Sequence, residues 1–388
     1  MEQRDRGTAV AADWEPVGAE ATAPYWFCCP GWFEVGWLTM SLTLEIPLED
    51  RLESPVGEPE RGLKSVGPRP MWMRHVALIY NPYAGQHSER RKALIENCLG
   101  VLRGAGIEAE ALETYAPGTA GEQAMEAVRR GCDTILSCGG DGTVHEILQC
   151  LVGTRIALGV VPLGTANALA MDLGLGSKPA KALRLLMDAR PVQVPVGRVS
   201  FKDADGSRGS RYFTVAAGVG VDALFMSRLE PELKRRFGYA LYLIEAFRVW
   251  ATHSFQLFRA AFVTDHGRRR REEHVSQLLA VRIRDFGGAL RNLAPGATLH
   301  KGRLRLVAFK TRSRMDYLRF LLAVIFRRHT FKRQVELLDA DAVECNAETD
   351  GTGRVFVEAD GELLGTLPAR IEMTSERVTL LVPAHARP

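Results

Sequence analysis

Three short turns and one acidic tetrapeptide hold the residue types that could do chemistry in this 388-residue chain. The turns are "NPYAG" (81–85), "GGDGT" (139–143) and "PLGTAN" (162–167). Glycine lets backbone N–H groups approach a ligand without a Cβ in the way, and a helix beginning just after the turn adds partial positive charge. That combination suits a polyphosphate. Asp141 sits inside the second turn, where amides that attract anions make a carboxylate ill placed for folding alone. It is well placed to hold magnesium against phosphate oxygens or to orient an incoming hydroxyl. Near the other end, "ADGE" (359–362) offers Asp360 and Glu362. Asp-Gly between two strand-like runs also signals a type I′ hairpin, and a hairpin tip can present a carboxylate across a cleft.

These turns need elements to position them. "RHVALIYNP", "IEAEALETY", "CDTILSCGG" and "RIALGVVPLG" read as strands, and "SERRKALIENCLGVLRGAG", "AGEQAMEAVRRG" and "TVHEILQCLVG" read as the helices between them. Short apolar runs alternating with helices of this length imply parallel strands joined by right-handed crossovers. In such a sheet the carboxyl ends share one edge, where ligands bind. One Gly-rich turn is also what any tight connection would use; three in register with three strands point to a shared ligand. Residues 73–190 are therefore expected to form an α/β nucleotide-binding domain. Residues 191–388 are richer in strand-like runs and are expected to form a β-rich second domain, with helices near 237–250 and 315–328. Residues 1–72, mixed in Pro, Glu and Gly without a sustained period, read as a disordered extension.

Composition excludes several classes. The hydrophobic share of 46% and charged share of 25% are those of a globular protein, and a formal charge of +4 fits an anionic ligand or surface without demanding one. Zinc-finger spacing, RNP-like aromatics and basic-region heptads are missing from the sequence, so nucleic acid is not an expected partner. The seven cysteines are scattered without CxxC pairs, which points to a reducing cytosol. The longest apolar run, "FLLAVIF" (320–326), is too short to span a bilayer. The sequence contains neither GxxxxGK[ST] nor the HRD and DFG pair of protein kinases, so another phosphate-binding design is needed.

"YNPYAG", "SCGGDGTVHEIL", "VVPLGTANALA", Thr114 in "TYAPG", "AAGVGVDA" (216–223), "APGATLHKGRLRLV" (294–307) and "VEADGELLGTLP" (357–368) occur in one order from about residue 75 onward. This series resembles the diacylglycerol kinase catalytic domain family, which includes bacterial lipid kinases and the sphingosine and ceramide kinases. The resemblance implies a two-domain NAD kinase/diacylglycerol kinase-like fold, α/β plus mostly β, with a β-sandwich-like second domain and ATP in the cleft. Carried over residue by residue, it implies that Asn81, Pro82, Ala84, Gly85, Thr114, Gly139, Gly140, Asp141, Gly142, Thr143, Gly164, Thr165 and Asn167 line the nucleotide. Asp360 and Glu362 match the family's acidic pair with general-base duty, Glu362 being the favoured base. Asp141 is the expected ligand of the magnesium that accompanies ATP.

Two positions depart from the family pattern. Asn167 is followed by Ala168 where Asp is frequent, which removes a carboxylate. His300, Lys301 and Gly302 stand where Asp-Asp-Gly forms a structural magnesium site in some bacterial members, and an ammonium cannot ligate a hard cation, so that site is expected to be absent.

A lipid acceptor also implies reversible peripheral membrane binding. Basic clusters at 233–239, 267–273 and 326–333 are candidates for contact with anionic headgroups, against the alternative of an ordinary solvated face. Two competing functions remain open in the sequence: a soluble-substrate kinase of the NAD kinase type, which shares GGDGT, and a nucleotide-binding regulator without catalysis. The acceptor lipid and the oligomeric state are not encoded in any motif.

Overall fold

The structure is a computed structural model that describes residues 72–82, 88–221, 223–224, 248, 251–252, 255–287, 290–291, 293–326, 334–348, 354–384 and 386. The expected extension at 1–72, apart from Trp72, and the expected helix at 237–250, apart from Arg248, lie outside the described residues.

Each apolar run of the first half forms a strand followed by a helix: β1 (His75–Tyr80), α1 (Ser88–Gly104), β2 (Glu108–Glu113), α2 (Thr119–Arg129), β3 (Thr134–Gly139), α3 (Asp141–Leu151), β4 (Ala157–Pro162), α4 (Ala168–Asp172) and α5 (Pro179–Met187). β3 and β4 are buried at every position and β1 at all but its first. Parallel strands covered on both faces must be continuously apolar in this way. All four pair in parallel in the order β2-β1-β3-β4. Tyr80 aligns with Glu113 and with Cys138, and Gly139 aligns with Pro162. The turns after these strands therefore leave one sheet edge at one level, as expected for an α/β layer.

The rest is mostly strand: β5 (Arg190–Lys202), β6 (Arg208–Phe213), β7 (Ala216–Gly220), β8 (Phe258–Thr264), β9 (Arg269–Val275), β10 (Gln277–Val281), β11 (Leu304–Phe309), β12 (Val335–Ala340), β13 (Ala342–Ala347), β14 (Phe356–Ala359) and β15 (Glu362–Val382). A helix, α6 (Arg314–Ile325), interrupts them close to the expected range. Inward-facing residues such as Val199, Phe213, Phe258, Leu278 and Val357 fill one buried apolar core, so this half is β-sandwich-like.

β15 joins the two halves. Its start forms a hairpin with β14, while Thr379 and Leu380 pair in parallel with Ala157 and Leu158 of β4. Val378, Leu380, Leu381 and Val382 lie in the core of the α/β layer, together with Val194 and Val196 of β5. The end of the chain thus supplies the strand next to β4, which fixes the hairpin tip relative to the Gly-rich turns.

Candidate active site

The second and third turns pack directly on each other. A Cβ at Gly164 would overlap Cα of Gly140, and a Cβ at Gly140 would come within 3.2 Å of Cα of Gly164. Side chains are excluded here because one backbone passes against another, which is a reason the sequence does not reveal. Leu163 N–H donates to the Gly139 carbonyl at 2.9 Å. Asn167, in the left-handed region at φ 50°, accepts from Gly164 N–H and donates back to its carbonyl, both at 2.8 Å. Its buried amide therefore shapes the turn, while Thr165 beside it is exposed.

Asp141 opens α3, with Gly140 in an extended conformation as N-cap. Its carboxylate accepts from Leu169 N–H of α4 at 3.5 Å, with Ala168 and Asn167 amides also contributing. It thus lies between the N-terminal ends of two helices, which favour negative charge. Burial wins over those amides, and the Asp360 charge adds to it, so the acid is pushed up to about 6.

Asp360 and Gly361 form a two-residue loop with φ of 49° and 84°, the type I′ geometry expected from Asp-Gly. Asp360 does more than turn. Its carboxylate accepts from the backbone N–H groups of Thr214, Val215 and Ala216 at 3.0, 2.8 and 3.1 Å, and its own N–H donates to the Ala216 carbonyl. Thr214 and Val215 form the step between β6 and β7, and Ala216 begins β7. His145 Nδ1 lies 3.5 Å from Asp360 Oδ2, and both side chains are buried. Arg282, also buried, donates to the carbonyls of Leu299 and Phe213 and is lowered to about 10 by burial, against the opposing Asp360 charge.

Glu362 follows on the exposed side of the hairpin. A Cβ at Gly142 would overlap its Oε1, so this carboxylate rests on the first turn of α3, beside Asp141. Asp141 and Gly142 of α3 and Glu362 of β15 are thus brought together from distant parts of the chain. The remaining expected nucleotide residues surround the same edge. Thr114 is buried and donates its N–H to the Tyr80 carbonyl; Asn81 is half-buried and Pro82 buried; Gly139 is packed on Thr143, whose side chain would overlap a Cβ there. Ala84 and Gly85 lie outside the described residues.

Sequence reasoning passed over three residues that hold this edge. Arg91 on α1 donates to the carbonyls of Asn81 and Leu163 at 2.8 and 3.3 Å, tying the first turn to the third. Glu146 accepts from Gly118 and Ala120 N–H, satisfying the open end of α2. His145 faces Asp360. The last two stand inside "GGDGTVHEIL", where a polar pair amid apolar helix positions was a usable signal.

Among the basic clusters, 233–239 lies outside the described residues, as does 326–333 apart from Phe326. In the cluster at 267–273, Arg269 pairs with Asp265, Arg270 with Glu272 and Glu344, and Arg271 with Glu336 and Glu273. That charge is largely spent within the protein. Among the described residues no helix is long and apolar enough to cross a membrane.

The diacylglycerol kinase catalytic domain profile matches residues 75–199, and the YegS C-terminal NAD kinase beta sandwich-like domain profile matches residues 214–382. A diacylglycerol kinase of Bacillus subtilis (strain 168) is 25% identical over 80% of this chain and 97% of its own. A diacylglycerol kinase of Mycobacterium tuberculosis (strain CDC 1551 / Oshkosh) is 28% identical over 80% of this chain and 96% of its own. The crystal structure of a diacylglycerol kinase from Bacillus anthracis str. Sterne superposes with a TM-score of 0.58 at 19% identity, covering 81% of this chain and 98% of that one, a likeness of fold. With both domain profiles matched in tandem over the layers described above, the chain belongs to the diacylglycerol kinase family of lipid kinases.

Proposed function

We propose that this lipid kinase transfers the γ-phosphate of ATP to the hydroxyl of a membrane lipid such as diacylglycerol or a sphingoid base. The observation that carries the reading is the exposed Glu362 carboxylate resting on Gly142, beside Asp141 and the two touching Gly-rich turns. Phosphoryl transfer needs an acceptor oxygen stripped of its proton and a tightly held polyphosphate. Glu362 takes the proton; the lipid oxygen bonds to the γ-phosphorus as its bond to the ADP oxygen breaks. Asp360, with its oxygens already accepting from Thr214, Val215 and Ala216, acts as a positioning residue for the hairpin.

Mg2+ takes one or two carboxylates plus substrate phosphates, and the Asp141 carboxylate would supply one such ligand. When bound, the ion would neutralise charge on the phosphate oxygens. Lys301 donates its ammonium to the Gly296 carbonyl at 2.9 Å, which supports the absence of the second, structural magnesium. Manganese-soaked crystals with an anomalous peak beside Gly302 would overturn that point. In this reading residues 73–190 carry the nucleotide and 191–388 the acceptor side, and the enzyme works in the cytoplasm, reversibly bound to membranes.

The test is incubation with γ-labelled ATP, magnesium and a panel of diacylglycerol, sphingoid bases and NAD, resolved by chromatography. Label in a lipid product is expected. Label in NADP alone would replace the lipid reading with the soluble-substrate one, and label in no product would remove the kinase assignment of the acceptor.

A further inference from the structure

The helix α6 is apolar on two sides, yet among the described residues only one of them is covered. Its inner face buries Phe320 and Val324. Tyr317 anchors it, stacked on Phe255 and Phe309 at 4.3 and 4.4 Å between centroids, with its hydroxyl 2.8 Å from Ser276 Oγ. Its outer face does the reverse. Among the described residues seven large apolar side chains are strongly exposed, and five of them, Met315, Leu321, Leu322, Ile325 and Phe326, belong to this helix and its C-cap. Positions 315, 318, 322 and 325 follow the 3-4-3 spacing of a helical stripe, and each is Met, Leu or Ile. Phe326 at the C-cap is 68% exposed. Scattered exposed apolar residues need no explanation, but a contiguous set marks a contact surface.

Charge identifies the contact. Residues 311–326, which contain α6, hold three exposed arginines, Arg312, Arg314 and Arg319, and a single acid, Asp316. That acid is engaged by Thr311 and Arg319. An apolar stripe bordered by cations is the composition of a helix that lies in the plane of an anionic bilayer surface. The placement also fits an enzyme whose acceptor is in the membrane, because the apolar cluster beneath α6 includes Val281 of β10, and the next residue, Arg282, is near enough to feel the Asp360 charge.

We infer that α6 is the membrane-docking element, laying Leu322, Ile325 and Phe326 among the acyl chains of an anionic leaflet while Arg312 and Arg314 contact headgroups. This rests on the lipid-acceptor reading above and adds the surface by which the enzyme reaches that acceptor.

The experiment compares the full chain with its Leu322→Glu/Ile325→Glu variant, both side chains being exposed and outside the candidate active site. Binding is read by cosedimentation with vesicles of phosphatidylcholine alone and of equal parts phosphatidylcholine and phosphatidylglycerol, without ATP. Turnover is read separately on a short-chain diacylglycerol below its critical micelle concentration. The wild type is expected to bind the anionic vesicles and to be released by salt, the variant to bind at least about tenfold more weakly, and turnover of the dispersed acceptor to be equal in both. A wild type that does not bind, or a variant that binds as well as wild type, overturns the inference whatever the turnover. So does a wild-type dimer that the variant converts to monomer in sedimentation velocity, because the stripe is then a contact between copies. Binding that obeys the expectation without transfer to any lipid leaves α6 in place and removes the kinase reading instead.

Discussion

The carboxylate of Glu362 rests against Gly142, in the first turn of the helix that Asp141 opens. One position stands in α3, which follows β3, and the other begins β15, the last strand; their contact sets what each substitution should do.

Glu362→Gln keeps the shape and removes the base. Positioned proton transfer contributes roughly 10²–10⁴-fold, so kcat with the lipid acceptor should fall by about that factor. Thermal stability and ATP affinity should stay near wild type, as read by melting curves and by nucleotide titration. A variant retaining more than half of the wild-type rate would exclude Glu362 as the base.

Asp360→Ala should behave differently. Three backbone N–H groups lose a charged acceptor in a buried place, at a cost of about 3 kcal/mol or more. Chemical denaturation should show this loss, and turnover should fall with it because the hairpin tip is no longer pinned. If Asp360→Ala melts like wild type while Glu362→Gln does not, the two roles are reversed.

Gly164→Ala and Gly142→Ala separate packing from catalysis. The first new methyl meets the Gly140 backbone, which cannot step aside, and should cost about 1–3 kcal/mol of stability. The second meets the end of a flexible Glu side chain. It should leave stability within about 0.5 kcal/mol and lower kcat by moving the carboxylate. Urea titrations and steady-state kinetics on both variants check the contrast.

Asp141 gives a pH signature. Its folded pKa of about 6 lies above the unfolded value of 3.8, so the native state binds the extra proton in that window. Linkage then makes stability fall as pH rises from about 4 to 6, with the full penalty, up to about 3 kcal/mol, present above 6. Asp141→Asn should therefore gain stability relative to wild type at pH 7.5 but not at pH 4, while losing turnover. Equal differences at the two pH values would refute this origin.

Arg91 bridges the first and third turns through two carbonyls. Arg91→Ala should loosen both and raise KM for ATP several-fold with a smaller effect on kcat, measured at saturating acceptor.

The residue types determined much by themselves. Continuous apolar runs in β1, β3 and β4 require burial on both faces, Asp-Gly requires a tight hairpin, and Gly-rich ends of parallel strands require one shared edge; each is a local rule that reads directly from sequence. The order of the motifs also carried the family. What only the tertiary structure decided is which groups meet. Gly164 is small because Gly140 passes it, Asp360 is buried because Thr214, Val215 and Ala216 turn their amides toward it, and residues 377–382 return to pair beside β4. Such contacts depend on long-range pairing and register, which local periodicity does not specify. The separation of Asp360 as anchor from Glu362 as the exposed carboxylate follows from the side of the hairpin each one faces, a choice made by the fold around them.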